Sequence, residues 1–516
     1  MLRCTIVLTP LSSGFRPWSV VVYTGIEKLP PPLGKFTGIG LRRSTLMTAS
    51  TRYDCMIIGG GVSGTALLYE LARYTDLKRL LLVEKYDRPA QGNSHAHNNS
   101  QTIHCGDIET NYKLEKALWT KRAASLVVNY ATKLPARERD QIVHRMPKMV
   151  LGVGTRECNY IRQRFETFKE AYPRMQLLER ADIADLEPNV ALVDGAWRKD
   201  EIVATGTPND YCAMDFQALS ESFSAQCVRM DRDKERFGDK HVSQLYGTEV
   251  KKIRKDGSDY VLSTNRGDML ARSVVVCAGR HSLSIAQAMG FGLEYSCLPV
   301  TGSFYFAPQA LNGKVYTVHD PNLPFAAVHG DHDVKERGKT RFGPTTLMLP
   351  RLEHDNHATV RDFVKRLRMD HDMAATLWKL MKIGDTRNAI LRNILYEVPG
   401  LNRRLFVKEI RKIVPDIEAR DIEYAEGFGG IRPQLIDRNT RELKMGDVKI
   451  IDGHGIVVNM TPSPGGTSCL CNAEQDMRLV AKHLGARVDW DAFEHELLTG
   501  DDDMRDQQAP MLAEAS

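Results

Sequence analysis

Apolar positions first form a regular pattern at Tyr53. A short apolar run over 54–58 leads into a glycine-rich segment. Apolar residues at helical spacing follow between Ala66 and Ala72, and then a second short apolar run, Leu80–Val83. Two apolar runs separated by a segment with helical period predict a β-α-β unit with parallel strands.

Later apolar runs predict further strands over 274–277, 448–451 and 456–459, extended strands over 297–350, and a helix that starts near Thr467. The predicted fold class is therefore α/β, with a Rossmann-type domain and a second α+β domain that carries a mixed or antiparallel sheet. A chain of 516 residues is too long for one ordinary domain. We predict a discontinuous nucleotide-binding domain over 53–115, 215–296 and 421–490, a substrate- and membrane-facing domain over 116–214 and 297–420, and a polar tail over 491–516.

Positive charge is concentrated at the start of the chain. Residues 1–52 hold seven basic groups and one acidic group, a net charge of +6, while the whole chain carries +5. The remaining residues therefore carry −1, and the basic character does not indicate nucleic-acid binding by the folded part. A basic, acid-poor leader that contains serines predicts a mitochondrial targeting segment, with a disordered extension or a misassigned start codon as the alternative.

The ten cysteines are scattered, and no Cys-x-x-Cys or zinc-type spacing with His occurs. This pattern favours free thiols in a reducing compartment and gives no metal site. No apolar run reaches the ~18 residues that a membrane span needs. Residues 361–382 interleave apolar and basic side chains, so a helix there would either lie on a membrane surface or pack on its own domain.

The first chemical motif is Gly59-x-Gly61-x-x-Gly64, between the predicted first strand and its helix. Glycines at this spacing permit a tight turn and close approach of the backbone to a pyrophosphate, which sits on the helix N-terminus. Glu84 lies twenty residues after Gly64, where a carboxylate can accept hydrogen bonds from ribose hydroxyls. The combination predicts a bound dinucleotide.

Two later segments favour FAD over NAD. Residues 274–279 form an apolar strand that ends in a small-residue turn, as in the second nucleotide-facing strand of two-domain flavoproteins. Residues 462–468 form a Gly/Pro turn before a helix, whose N-terminal partial positive charge would stabilise an anionic reduced flavin. The Rossmann-type domain is thus predicted to bind FAD, although Thr467 and Ser468 are also ordinary helix caps.

Six segments resemble the D-amino-acid-oxidase-like flavoproteins, and among them the malate:quinone oxidoreductase family. They are NSQTIHCGDIETNY at 99–112, SCLP at 296–299, LPFAAVHGD at 323–331, TRFGPT at 340–345, GGIRPQ at 429–434 and NMTPSPG at 459–465. They follow the family's order and spacing over roughly residues 53–490. Residues 1–52 fall outside the resemblance, which is consistent with an added leader.

The resemblance implies FAD-dependent oxidation of L-malate to oxaloacetate by hydride transfer to flavin N5, with electrons passed to a membrane quinone. It also implies a peripheral membrane protein. Together with the leader, this predicts the matrix side of the inner mitochondrial membrane and a place in the tricarboxylic acid cycle. The residues expected to contact FAD are Gly59, Gly61, Val62, Ser63, Gly64, Glu84, Asn99, Ser100, Gln101, Val250, Ala278, Gly279, Gly430, Pro464, Gly465, Gly466, Thr467 and Ser468.

Malate carries two carboxylates, and the planar guanidinium of arginine binds a carboxylate at two points. Arg432, in a Gly-x-Arg-Pro segment resembling that of amino-acid-oxidising relatives, is the first candidate, and Arg341 is the second. Alternatively, Arg432 forms a buried structural ion pair, and Arg341 is a surface residue on a strand. His329 and His104 are the candidate bases, because histidine titrates near neutrality. A hydrogen-bonded core histidine is the alternative for each.

Several other functions fit the same residues. A flavin dehydrogenase or oxidase for another 2-hydroxy acid, such as L-2-hydroxyglutarate, would use the same chemistry, since one methylene changes binding by only ~1–3 kcal/mol. A flavin-bound sensor without turnover would have no need of a dicarboxylate clamp. An NAD-dependent dehydrogenase would show no flavin absorbance.

Overall fold

The computed structural model describes residues 20–23, 51–320, 327–345, 347–348, 396, 402–440, 442–444, 447–461 and 464–499. The predicted surface helix over 361–382 lies outside these residues. In the described part of the chain, no helix is both long and apolar enough to cross a membrane.

A nine-stranded sheet forms the nucleotide-binding side. Its central strands, Gly267–Val276, Arg52–Ile58, Arg79–Val83 and His241–Leu245, are parallel neighbours in that order, as the β-α-β pattern predicts. Ile456–Met460 pairs in parallel with Gly267–Val276 and antiparallel with Val448–Ile451. The remaining strands are Val20–Tyr23, which pairs with Val448–Ile451, and the hairpin of Val250–Asp256 and Asp259–Thr264, which joins Gly267–Val276.

Alternate residues of Arg52–Ile58 face two different cores, as the two-residue period of a strand requires. Cys55 and Ile57 face a core of helices, whereas Met56 and Ile58 face the core beneath the hairpin and the four-stranded sheet. Burial on both faces explains why this strand is a continuous apolar run.

An eight-stranded, mainly antiparallel sheet forms the second side of the molecule. Its order is Glu423–Tyr424, Tyr305–Pro308, Lys339–Gly343, His329–His332, Lys314–Thr317, Val143–Val153, Ile202–Met214 and Gln176–Leu178. Among the described strands of this sheet, Lys314–Thr317 and Val143–Val153 pair in parallel and the other pairs are antiparallel. A four-stranded antiparallel sheet adds Leu347–Met348, Tyr295–Thr301, Ile431–Asp437 and Glu442–Lys444, and a small hairpin joins Leu192–Val193 to Ala196–Trp197. The predicted α/β fold with a second, mixed sheet is confirmed.

The α-helices are Val62–Tyr74, Leu114–Thr132, Ala136–Ile142, Thr155–Phe168, Arg180–Leu186, Pro188–Ala191, Phe216–Arg232, Lys234–Phe237, Ser282–Ala288, Asn402–Ile410, Cys469–Leu484 and Trp490–Phe493. Short 3₁₀ segments cover Ala96–Asn98 and Gly279–His281, and one π-helical turn covers Glu494–Leu498. The nine cysteines in the described residues are free thiols, as expected.

Two elements depart from the predicted boundaries. Leu114–Thr132 packs into the helical core of the nucleotide side, although the predicted boundary assigned it to the substrate domain. The start of the predicted polar tail is also part of this core. Phe493 packs edge-on against Tyr74 with ring centroids 5.3 Å apart, and Leu497 is buried. Phe493 and Leu497 are isolated apolar residues in a polar segment, so the sequence pattern did not predict that they join the core.

Candidate active site

A cavity of about 700 Å³ lies beside the nucleotide-binding sheet and is also lined by the loop over 91–104 and by the start of the strand Ile431–Asp437. The glycine loop lines one end of it, and His104 and Arg432 are among the residues lining it further along. Most of the predicted FAD contacts line this one cavity: Gly59, Gly61, Val62, Ser63, Glu84, Asn99, Ser100, Val250, Ala278, Gly279, Gly430, Pro464, Gly465, Gly466 and Thr467. Residues far apart in the sequence are therefore brought together along a single elongated site.

The glycine loop is packed too tightly for side chains at two of its positions. Gly59 has a φ of +109°, and a Cβ there would lie 2.4 Å from the carbonyl oxygen of Cys277. A Cβ on Gly64 would lie 1.9 Å from the carbonyl oxygen of Gly59. Gly61 is the N-cap of the helix Val62–Tyr74, and Gly61, Val62 and Ser63 line the cavity, so this helix start suits an anionic pyrophosphate.

Glu84 lines the cavity beside the glycine loop. Its Oε2 accepts the N–H of Gly60 at 2.5 Å, and its Oε1 accepts the N–H of Tyr86 at 2.9 Å. The carboxylate is thereby fixed beside the glycine loop at the end of its strand, where a ribose hydroxyl would meet it.

Sequence reasoning missed Ser94 and Arg280, which also line the cavity. The hydroxyl of Ser94 accepts the N–H of Val62 at 2.9 Å, which supports the first turn of the helix. Nη1 of Arg280 donates to Oδ1 of Asn93 at 3.0 Å. The polar composition of 91–107 was the signal for Ser94, but its role depends on a contact 32 residues away.

Three predicted FAD contacts do not line the cavity. Gly64 serves the packing of helix on strand, and Ser468 is buried beneath the turn that precedes its helix. Gln101 is buried with a φ of +53°, and its amide bonds Ala96 O at 3.3 Å and Asp333 Oδ1 at 3.3 Å. Gln101 therefore shapes the loop from within, which is a correction to its predicted contact with FAD.

His104 and Glu109 form a pair at the cavity wall. Nδ1 of His104 lies 2.7 Å from Oε1 of Glu109, and Glu109 Oε2 accepts the N–H of Gly106 at 2.8 Å. Burial would raise the pKa of Glu109, but His104, Lys148 and the Gly106 N–H outweigh burial and lower it. The backbone N–H of His104 donates to Oγ1 of Thr467 at 3.1 Å, which ties this pair to the turn before the late helix.

Arg432 lies on the strand Ile431–Asp437 and lines the same cavity. Among the residues that the structure describes, no carboxylate forms an ion pair with it. Burial lowers the pKa of Arg432, and the neighbouring Tyr316 and Tyr112 only partly oppose this effect. A partly buried guanidinium with no counter-ion among the described residues is suited to an anionic ligand. The alternative of a structural ion pair thus finds no partner within the described chain.

His329 lies on the strand His329–His332 and is 3% exposed, but it does not line the described cavity. Its ring stacks on Tyr316 with centroids 4.3 Å apart and planes 3° from parallel. Its Nδ1 lies 2.7 Å from Oδ2 of Asp331. Burial lowers the pKa of His329, and Asp331 only partly offsets this. Its neighbours at 321–326 lie outside the described residues.

Arg341 does not line the described cavity, and this corrects its predicted role as a direct carboxylate clamp. It is 1% exposed and forms an ion pair with Asp333. Its Nη1 donates to the carbonyl oxygen of Asn99 at 2.5 Å. Phe304 and Phe428 cover it, with ring centroids 5.1 and 5.2 Å from the guanidinium carbon. The sequence does not show which acid lies beside an arginine, and the fold places Asp333 beside Arg341.

Known proteins similar in sequence to this chain define its family. Residues 54–469 match the family described as FAD dependent oxidoreductase. A probable malate:quinone oxidoreductase of Campylobacter jejuni is 44% identical over 453 residues, covering 86% of this chain and 99% of the relative. The malate:quinone oxidoreductase of Helicobacter pylori strain 26695 is 42% identical over 452 residues, covering 87% and 98%. The chain belongs to the malate:quinone oxidoreductases within this FAD-dependent family.

More distant proteins share the fold. L-α-glycerophosphate oxidase of Mycoplasma pneumoniae, solved with FAD bound, is 19% identical with a TM-score of 0.55, covering 85% of this chain and 96% of the solved one. A mitochondrial L-2-hydroxyglutarate dehydrogenase of Nematostella vectensis is only 25% identical over 465 residues, covering 87% of this chain and 95% of the relative. The predicted cofactor, FAD, and the predicted family are confirmed, and the helix start that lines the cavity and the anchored Glu84 fit that cofactor.

Proposed function

We propose that this protein oxidises L-malate to oxaloacetate with bound FAD and passes the electrons to a quinone. The observation that carries the proposal is that one cavity is lined both by Arg432, which forms no ion pair with any described residue, and by His104, which is paired with Glu109. A 2-hydroxy acid needs a cation for its carboxylate and a base for its hydroxyl proton. The 44% and 42% identity to malate:quinone oxidoreductases supports malate as that acid.

FAD supplies the acceptor for the hydride that leaves C2 of malate. Arg432 binds one malate carboxylate and thereby fixes the orientation of the C2 carbon. His104 has its Nδ1 engaged by Glu109, so its Nε2 is left to accept the hydroxyl proton. Glu109 stabilises the imidazolium that results, because it remains ionised in its buried position.

We assign the base to His104 rather than His329 because His104 lines the cavity. His329 stacks on Tyr316, and the Tyr316 hydroxyl donates to Thr102 Oγ1 at 2.9 Å on the cavity wall. In this proposal His329 supports the wall instead of taking the proton. His104→Asn should reduce kcat about 100-fold or more, as loss of a general base does. His329→Asn should reduce it by less than His104→Asn, and the reverse order would transfer the role to His329.

The assay for the proposed function is reduction of a soluble quinone by the purified, flavin-loaded protein. L-Malate should support turnover, while L-2-hydroxyglutarate and L-lactate should each give a much lower kcat/KM. A higher kcat/KM with L-2-hydroxyglutarate would contradict malate as the substrate but would still support oxidation of a 2-hydroxy acid. Rapid peroxide formation with malate in air, without quinone reduction, would instead indicate an oxidase.

We also propose that the protein attaches peripherally to a membrane, on the matrix side of the inner mitochondrial membrane, and serves the tricarboxylic acid cycle there. Support comes from the seven basic groups and one acidic group of residues 1–52. The two malate:quinone oxidoreductases compared above are bacterial. The strand Val20–Tyr23 lies within residues 1–52 and pairs with Val448–Ile451. Cleavage of a leader that includes this strand would therefore expose Val448–Ile451 as the edge of the sheet.

Localisation is tested by expressing the full chain with a C-terminal tag in a eukaryotic cell. The proposal predicts a mitochondrial protein that has lost its N-terminal segment, by mass spectrometry, and that alkaline carbonate releases from membranes. A cytosolic protein that retains Val20–Tyr23 would overturn the targeting proposal. A protein in the soluble matrix fraction would overturn only the membrane attachment.

A further inference from the structure

The cavity wall formed by 98–102 has two buried cations behind it. This wall carries Asn98, Asn99, Ser100 and Thr102 along the cavity. Behind it, Nη1 of Arg341 donates to the carbonyl of Asn99 at 2.5 Å, and Nζ of Lys314 donates to the carbonyl of Ser100 at 3.2 Å. Two consecutive peptide carbonyls of the wall are thus each held by a different buried charge.

Each cation is paired with an acid. One of the paired acids, Asp331, lies on the strand His329–His332, and the other, Asp333, follows the end of that strand. Arg341 pairs with Asp333, which also accepts the backbone N–H groups of Lys335 and Glu336 at 2.8 Å. Lys314 lies 3.2 Å from Oδ1 of Asp331, whose Oδ2 lies 2.7 Å from His329 Nδ1. Asp331 and Asp333 are two residues apart, so the two pairs stand side by side against the wall.

The wall itself is conformationally demanding. Gln101 has a φ of +53°, a region that few residues other than glycine adopt. Its N–H is held by Asn99 Oδ1 at 2.9 Å, and its side-chain oxygen accepts the N–H of Val334 at 3.1 Å. Such a backbone persists where its surroundings fix it from several sides.

We propose that Arg341 and Lys314 are positioning residues that fix the Asn99–Ser100 carbonyls, and through them the flavin-facing wall of the cavity. Buried ion pairs contribute little to stability compared with apolar packing, because their desolvation offsets their attraction. Their value here is geometric, since each cation sets the direction of one peptide group. The proposal rests on the proposed function only in that the wall is taken to face the flavin.

The test compares Arg341→Lys and Lys314→Gln with a matched control in the flavin-loaded protein. A lysine at position 341 has no planar guanidinium, so it cannot bond both the Asp333 carboxylate and the Asn99 carbonyl in the same geometry. The control is Lys240→Met, since Lys240 is also buried and donates to two carbonyls, Thr75 O at 2.6 Å and that of Ala72, at the far end of the glycine-loop helix. Should Arg341→Lys not fold, Asp333→Asn perturbs the same pair with an isosteric side chain.

The expected result is a kcat per bound flavin that falls about tenfold or more with malate KM within about twofold, since small misplacements in a site cost large factors in rate. The visible band of the bound flavin should also shift in both variants and stay unchanged in Lys240→Met. Unchanged kcat and spectrum, with only a lower melting temperature as in the control, would overturn the proposal. The spectral readout needs no malate, so it still decides the question if the proposed substrate is wrong.

Discussion

Nδ1 of His104 lies 2.7 Å from Oε1 of Glu109, on the wall of the cavity that Arg432 also lines. This contact fixes which imidazole nitrogen is left for a substrate, and it places an ionised carboxylate behind the ring. Glu109 is five residues from His104, so the pair was present in the sequence but was not predicted. The proposed oxidation requires a histidine oriented by a carboxylate and, in the same cavity, a guanidinium that no described carboxylate pairs with.

Glu109→Gln should lower kcat about 100-fold with little change in malate KM, because the imidazolium loses its counter-charge and its tautomer is no longer fixed. Steady-state quinone reduction measures both constants. Glu187→Gln is the matched control, since Glu187 is also buried and accepts two backbone N–H groups, from Asn312 and Gly313. An equal loss of kcat in both variants would show that burial of a carboxylate, rather than its place beside His104, is what matters.

Arg432→Lys should lower kcat/KM for malate about 100-fold, because a point charge cannot replace the two-point contact with a carboxylate. Flavin content should be unchanged, which absorbance at the visible flavin band checks. Arg198→Lys provides the control, as Arg198 is a buried guanidinium that pairs with Asp200 and bonds the carbonyls of Val190 and Lys412. Normal kinetics for Arg432→Lys would remove Arg432 from the substrate site.

Asp331 predicts a specific dependence of stability on pH. Burial would raise the pKa of Asp331, but His329 and Lys314 outweigh burial and bring it to about 2. A carboxyl whose folded pKa lies below its ordinary value of about 3.9 stabilises the fold above that pH, and this stabilisation is lost as the pH falls towards the folded pKa. The stability lost in Asp331→Asn should therefore be largest above pH ~4 and shrink between pH ~4 and ~2. Urea unfolding midpoints measure it, and a difference that does not vary over this range would contradict the assignment.

Gly64→Ala should abolish FAD binding or prevent folding, because its Cβ would lie 1.9 Å from the carbonyl oxygen of Gly59. Gly92→Ala is the control, since Gly92 lines the same cavity but a Cβ there meets nothing within 4 Å. Flavin absorbance per protein after purification distinguishes the two variants. Full flavin content in Gly64→Ala would contradict the close contact between position 64 and the carbonyl oxygen of Gly59.

Local patterns account for what the sequence predicted well. The glycine loop, Glu84 and the strand at 274–276 are encoded by short-range spacing and apolar runs. The loop, Glu84 and the residues Ala278 and Gly279 that follow the strand line one cavity. The cavity is also lined by the predicted residues Asn99 and Ser100 and by the turn at Pro464–Thr467. Polar and Gly/Pro-rich loops at strand ends commonly line binding sites, which is why the sequence indicated them.

Long-range partners account for what the sequence could not predict. Arg341 was a candidate clamp because arginines bind carboxylates, but its partner Asp333 and the carbonyl of Asn99 lie on other elements. The side chain of Gln101 points away from the cavity, and its backbone has a left-handed conformation that the sequence does not indicate. Phe493 joined the core through Tyr74, more than 400 residues earlier, so no local period could mark it.

The most direct test of the central claim is anaerobic addition of L-malate to the purified protein, followed by its visible spectrum. The account predicts a flavin band that malate bleaches and that a soluble quinone restores, with bleaching greatly slowed in His104→Asn. A flavin that malate leaves oxidised, while another 2-hydroxy acid bleaches it, would contradict the account.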